Sequence, residues 1–565
     1  MNQKPKLSYR DVLGWLLIGI SVLMLGKSLA LCFSNDIWYD ELFTVGMIEH
    51  SYGDLIAFTA RDVHPPLYYC IVKFFVELCK LIVPTTNTVS ISKIVSVLPY
   101  LILLLYSVTF IRKRFGIFTG GLFLFCVIAM PQLSAYTVEI RMYSWALLFV
   151  TAALLHAYGL VTEPEFVNPS FIQIKTERYG PKWIHCTALV FYGLAAAYTQ
   201  YFACVAVIMI YLYVLVIFFI KDRRRIKQWV VCVVISIVGY APWLYALYTQ
   251  ITAVGENYWI LPVSWRTFGG CVKFLMKPAF TSETLNIVLA VLLFIVYICI
   301  FMWNAVKLCH NSRVFCQETD DNSKNQAIKQ WNDFAFITAG VGVLAGLVLF
   351  GFAASVLFRP IFVYRYMIPA LGCFWLTFAV GLGGMAEETD RPTAVFLTFG
   401  HKVVTKTVHT GITRKAFTTA VCVLMLLIGL RDYRAFMGEE EYKKLMMKDT
   451  NAAFQEIDAE DILIFNFDQV QMVTGYYLDN DSYLWYGQSE ELIQEICGKK
   501  GTLNEDTEQI KEWLVQGRQI LFFGSFNSRE DIVEEWRAAG LTVEETGSYL
   551  LERYWFNIYE VSIHG

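Results

Sequence analysis

The chain has 565 residues, 56% of them hydrophobic and only 17% charged, with a mean hydropathy of +0.47. It is too apolar and too poor in charge for a soluble enzyme of this length, and nucleic acid is not expected among its partners. The net charge of −3 conceals a split, because 27 acidic and 12 basic residues follow Leu430, leaving the preceding part at about +12.

Before Leu430, stretches of roughly 20 apolar residues recur about eleven times, each long enough to cross the hydrocarbon as a helix. The opening MNQKPKLSYR precedes an apolar run over 12–33 that is too long for a signal peptide and lacks a small-residue cleavage site, so it reads as the first anchored helix. A polar loop, 34–90, follows. Within it, 66–83 is apolar enough to suggest a span, yet Lys73, Glu77 and Lys80 at helical spacing suit an amphipathic helix lying in the outer interface. A crossing there would invert every later connection. The remaining expected spans are 91–111, 117–130, 143–161, 184–199, 202–220, 229–248, 285–307, 333–357, 364–384 and 416–430.

With the N-terminus in the cytoplasm, the connections on that side, including IRKRFG, KDRRRIK and the stretch with Lys175, Arg178 and Lys182, hold about 23 Lys and Arg against about 10 opposite. The positive-inside bias therefore predicts a multi-pass plasma-membrane protein whose 34–90 loop and acidic C-terminal part lie outside. After residue 430, β-rich runs (DILIFNF, QILFFGSF, YWFNIYEVSI) alternate with helical patterns (EDTEQIKEWLVQG, SREDIVEEWRAAG). They predict a small extracytoplasmic α/β domain over 431–565, beside a membrane domain over 1–430. No phosphate loop, GxGxxG or catalytic triad motif assigns the C-terminal part any chemistry. The 14 cysteines are scattered without CxxC spacing, which indicates neither a zinc site nor a disulfide framework.

The chemistry concentrates in the outer loop, SNDIWYDELFTVGMIEHSYGDLIAFTARDVHPPLYY, which sets Asp36, Asp40, Glu41, Asp54, Asp62 and His64 beside the membrane surface. Carboxylates are costly to desolvate there, so a cluster is either solvated or held for work on protons, cations or phosphates. WYDE shortly after the first span, followed by DVHPPLYY, is similar to the first outer loop of the GT-C glycosyltransferases, in particular the protein O-mannosyltransferase and aminoarabinose-transferase-like group, family 39 and its bacterial kin. Lys27 stands where that group has an Arg at the outer end of the first helix. Glu139, Arg141 and Tyr143 match its Glu-x-Arg-x-Tyr element. The YTQYF turn, 198–202, corresponds to another, although relatives more often have His in place of Gln200. Arg365 and Tyr366 in VYRYMIPA match its Arg-Tyr-x-x-Pro element. The resemblance covers about residues 10–385.

It implies a polytopic α-helical membrane protein of GT-C fold, with about 11–13 transmembrane helices and an outer juxtamembrane helix. It also implies an inverting transfer of a sugar from a polyprenyl-phosphate donor to a protein, glycan or lipid acceptor at the outer face. Asp40 is then the base, since an attacking hydroxyl or amine must lose a proton. Glu41 tunes it, holds a cation, orients the sugar, or is simply a helix N-terminal carboxylate. Arg141 and Arg365 clamp the departing phosphate through their planar guanidinium groups. Lys27, Asp62, His64, Glu139, Tyr143 and Tyr366 complete the substrate-binding set. No cofactor is certain; some members of the group hold a divalent metal, for which Asp62, His64 and Glu139 are the conceivable ligands. The outer loop 250–283, rich in aromatic residues such as Tyr258, Trp259, Trp265 and Phe268, is suited to covering the carrier or acceptor, or to forming an aromatic belt. Two other readings stay open. A transporter or flippase calls for charges near the bilayer midplane and repeated halves, neither of which stands out. A GT-C polymerase or ligase would keep the fold and use a longer lipid-linked glycan.

Overall fold

The computed structural model describes residues 8–34, 36–162, 182–253, 260–315, 321–386, 393–399, 402–408, 410–487, 491–498 and 501–563. Packing divides the chain into two compact units. One takes in the residues up to Leu31 with 96–138 and 142–434; the other takes in 32–95, 139–141 and 435–565. The loop 34–90, grouped by sequence order with the membrane domain, thus packs with the C-terminal residues.

Among the described residues, nine helices are long and apolar enough to cross a membrane: Tyr9–Leu31, Thr88–Phe115, Tyr143–Val161, Tyr201–Lys221, Arg223–Thr252, Glu283–Cys309, Ile328–Leu357, Tyr364–Met385 and Arg414–Gln455. Two shorter apolar helices, Ile117–Ala129 and Trp183–Ala197, account for the other two expected runs. Tyr143–Val161 and Tyr364–Met385 are enclosed by their neighbours, whereas Arg223–Thr252 exposes Val231, Val234 and Val238, as a lipid-facing helix must. Small residues let helices approach closely. A Cβ on Gly14 would lie 2.6 Å from the Phe118 backbone nitrogen, so only glycine brings Tyr9–Leu31 this close to Ile117–Ala129. In the connection before the last span, β1 (Thr393–Phe399) and β2 (Lys402–Val408) pair antiparallel. Lys175 and Arg178 lie outside the described residues.

The second unit is built on a six-stranded sheet of β3 (Ile462–Phe465), β4 (Ser482–Leu484), β5 (Gly501–Thr502), β6 (Ile520–Gly524), β7 (Leu541–Leu551) and β8 (Tyr554–Ile563), in the order β5-β4-β3-β6-β8-β7. β3, β4, β5 and β6 run parallel, and β8 and β7 close the sheet antiparallel. The central strands ILIF and ILFFG are buried throughout, the pattern of strands covered on both faces. Alternate residues serve different layers. Ile462, Ile464, Ile520 and Phe522 pack with Trp485, Ile510 and Trp536, under the helices Thr507–Val515 and Ser528–Ala538 that the charged repeats predict. Leu463, Phe465, Leu521 and Phe523 pack instead with Ile37, Leu42 and Val45 of the outer loop. The helix Tyr39–Glu49 therefore covers one face of the sheet, each of its buried aliphatic side chains contributing about 1.5–3 kcal/mol.

Residues 66–83 contain the 16-residue helix Leu67–Ile82, which is not among the spanning helices. Lys73 is buried, donating to the Ile48 carbonyl at 3.0 Å and pairing with Glu77 at 2.8 Å. Phe74, Leu78, Leu81 and Ile82 are exposed. Tyr68, Tyr69, Val72 and Val76 are buried with Lys73, while Glu77 and Lys80 are exposed with these apolar residues, so the open side mixes charged and apolar groups, which suits a helix at a lipid interface.

Candidate active site

Trp38, in extended conformation, precedes the Tyr39–Glu49 helix, and its backbone N–H donates to the Glu41 carboxylate at 3.4 Å, as in a capping box. The other Glu41 oxygen accepts the Ile140 N–H at 2.8 Å, and the Thr44 hydroxyl donates to the Ile140 carbonyl at 3.3 Å. These ties lay residues 139–141 along the first turn of the helix. Arg141 is consequently set on Asp40: its Nη1 donates to the Asp40 backbone carbonyl at 3.3 Å, and its Nη2 lies 3.5 Å from Asp40 Oδ2. Arg141 is buried, whereas the Asp40 side chain keeps 21% of its surface open. Glu41 is buried, and that burial pushes its carboxyl up to about 7, Lys93 opposing and the charge of Glu139 adding. Of the roles open to Glu41, the geometry matches the helix N-terminal carboxylate, here a staple between two segments.

A second pair lies in the same unit. Lys93, buried near the start of its helix, stands 3.3 Å from Asp36 Oδ1 and donates to the Ser34 hydroxyl at 2.9 Å. Burial works against the ionised Asp36, but Lys93, Ser34 and a backbone N–H outweigh it and hold the carboxyl below its usual range. The sequence reading passed over Lys93 because a single lysine at a helix end resembles ordinary snorkelling.

Asp62 closes the Tyr52–Arg61 helix and lies 3.0 Å from His64 Nδ1, which orients the imidazole. Glu139 is half-buried. Among the described residues no group of three or more His, Cys, Asp or Glu side chains is arranged to hold a metal ion, so Asp62, His64 and Glu139 are not gathered into one ligand set.

The other matched residues belong to the membrane unit. Tyr143 is buried at the start of its span, edge-on to Tyr136 at 5.3 Å. Arg365 and Tyr366 lie on the 3₁₀ turn Tyr364–Met367; Arg365 is half-buried and the Tyr366 ring lies 4.8 Å from Phe202. Gln200 caps the Tyr201–Lys221 helix through a hydrogen bond from the Ala203 N–H at 2.8 Å, a structural duty that accounts for a glutamine there. Lys27 is exposed beside Leu23 and Leu29. The amphipathic helix Trp265–Met276 leaves Trp265 and Phe268 exposed; Tyr258 and Trp259 lie outside the described residues. Beneath it is a cavity of about 750 Å³ lined by Arg266, Lys273, Lys277, Gln132, Asn286 and Tyr364. Their basic spacing of seven and four residues marks one helical face. In the sequence the aromatic residues of this loop are the more conspicuous feature.

No family model matches the sequence, and no curated protein sequence matches it significantly. Solved structures do. ArnT from Cupriavidus metallidurans in the apo state aligns over 97% of this chain and 98% of its own, at 12% identity and a TM-score of 0.52. The same protein bound to undecaprenyl phosphate aligns over 98% of each chain, at 13% identity and a TM-score of 0.52. The chain has the ArnT fold. Its resemblance to the GT-C group, read from short loop and helix-end motifs, is thereby borne out at the level of fold. The match to ArnT runs through both the spans and the C-terminal sheet. At such low identity the site's side chains are judged by their own geometry.

Proposed function

We propose that the chain is a membrane glycosyltransferase that moves a sugar from a polyprenyl-phosphate donor to a protein, glycan or lipid acceptor at the outer face, with inversion at the anomeric carbon. The observation that carries the reading is the Asp40–Arg141 pair on a stapled helix start. Asp40, partly open and held in direction, accepts the proton that the attacking acceptor loses as the new glycosidic bond forms. The bond from the anomeric carbon to the phosphate oxygen breaks, and the charge left on the phosphate calls for fixed cations. Arg141 and Arg365 supply guanidinium groups, and the Arg266, Lys273 and Lys277 cavity offers a further anion site. His64, its Nδ1–H directed at Asp62, donates from Nε2 to the same phosphate when the ring carries both protons. Lys27 meets a lipid headgroup. The bound ligand of the ArnT complex, undecaprenyl phosphate, is a carrier of the class that such a donor would release.

The test is Asp40→Asn in the purified full-length protein supplied with a polyprenyl-phosphate sugar. Turnover falls about 10²–10⁴-fold while binding of polyprenyl monophosphate is kept. Turnover at the wild-type rate removes Asp40 from the role of base.

A further inference from the structure

The two-residue turn joining β7 to β8, Glu552–Arg553, belongs to the same compact unit as Asp40 and reaches the start of its helix. Each residue of the tip engages the outer loop differently. The Arg553 guanidinium carbon lies 3.7 Å from the centre of the Trp38 ring, two residues before Asp40. Tyr554 takes a hydrogen bond from the Tyr39 backbone N–H, one of the first-turn donors that a helix leaves unpaired, and packs edge-on to Phe467 at 5.9 Å. Glu552 is buried, with Asp36, Lys443, Glu41 and Lys93 as its charged neighbours. Burial, reinforced by the charge of Asp36, pushes its carboxyl up to about 8.

Glu552 also sits at φ 57°, in the left-handed region where glycine is the inexpensive choice. A buried glutamate at a strained turn position is a costly way to build a hairpin, and it seats the tip firmly under the loop. Arg553 is the outward member. It is exposed, and among the described residues no carboxylate forms a salt bridge with it. Stacking occupies the face of a guanidinium and leaves its in-plane N–H donors open. The Trp38 indole N–H beneath it is buried and, among the described residues, has no acceptor.

Resting on the glycosyltransferase reading, we propose that Arg553 is a substrate-binding residue supplied by the C-terminal part of the chain: stacked on Trp38, it receives an oxyanion, phosphate or carboxylate, of the substrate that reacts at Asp40. Glu552 and Tyr554 are the positioning residues that aim it. The C-terminal sheet is then part of the reaction centre.

The test uses Arg553→Gln and Arg553→Lys in the full-length protein, with initial rates measured against donor and acceptor and with binding of polyprenyl monophosphate. The Gln variant keeps kcat within about three-fold and raises one KM about ten-fold or more, and Lys restores part of it. A raised donor KM with matching loss of polyprenyl monophosphate binding assigns the oxyanion to the donor phosphate. A rise confined to the acceptor KM assigns it to an anionic acceptor. Unchanged KM values overturn the inference, as does an equal fall in kcat in both variants with neither KM moved, the mark of a merely structural contribution. A wild-type protein that transfers no sugar from any polyprenyl-phosphate donor overturns the function instead.

Discussion

Glu41 holds two backbone donors, from Trp38 and Ile140, and the second of these is 99 residues away in sequence. Glu41→Ala strands both N–H groups, at about 1–3 kcal/mol each, and frees the strip that aims Arg141 at Asp40. Glu41→Gln keeps one carbonyl acceptor and is the milder change. The same residue sets a pH dependence. Its folded carboxyl titrates at about 7, above the ordinary 4.5, so the folded protein binds the proton more tightly than the unfolded chain does. The stabilisation is fully present below the ordinary value and is lost as pH rises through about 7. Glutamine cannot titrate. Melting temperatures in detergent between about pH 5 and about pH 8 are expected to shift in favour of Glu41→Gln, relative to the wild type, as pH rises. Parallel curves for the two proteins would show that Glu41 is not the group involved.

The helix Trp265–Met276 meets Tyr364 through Gly270, where an added Cβ would run into the tyrosine hydroxyl and ring. Neighbouring Gly269 faces open space, with nothing within 4 Å of a Cβ. The two glycines lie on the same element and line the same cavity, so they separate backbone propensity from occlusion. Gly269→Ala is expected to leave binding of polyprenyl monophosphate unchanged and to stabilise the helix by up to about 1 kcal/mol. Gly270→Val drives Tyr364 from its place against the basic face, and binding weakens about ten-fold or more. Equal affinities in the two variants would mean that the Arg266, Lys273 and Lys277 face is not an anion site.

Across the whole molecule, nine helices among the described residues are long and apolar enough to cross a membrane and two more are shorter and apolar, so eleven crossings are the number expected. Eleven crossings would leave the two ends of the chain on opposite sides, and the lysine and arginine bias predicts the N-terminal end in the cytoplasm. An epitope at the C-terminus is therefore expected to bind antibody on intact cells, and one at the N-terminus only after permeabilisation. Two ends on the same side would mean that one of the eleven helices does not cross or that Leu67–Ile82 does. The same scale carries the consequence of packing 32–95 with 435–565: the carboxylate loop rests on the sheet that follows the last span. Changes in the core of that sheet, at Phe465 or Phe523, act on the Asp40 helix from beneath.

The spans were legible as sequence because lipid offers no partner to backbone polar groups, so each crossing is a self-contained run of about 20 apolar residues. The inner strands ILIF and ILFFG were legible for a related reason, as short apolar runs between charged helices. The half-exposed edge strand β7 carried no comparable pattern and was not foreseen. The loop motif singles out Asp40 and Glu41 but carries nothing of the contacts they make. That Arg141 lies on Asp40, 101 residues distant, that Lys93 answers Asp36, and that Arg553 stacks on Trp38 depend on which surfaces pack together. Helical and strand periods record which face of an element is buried; the partner across that face is chosen by the shape and burial of the whole fold, and only tertiary structure contains it.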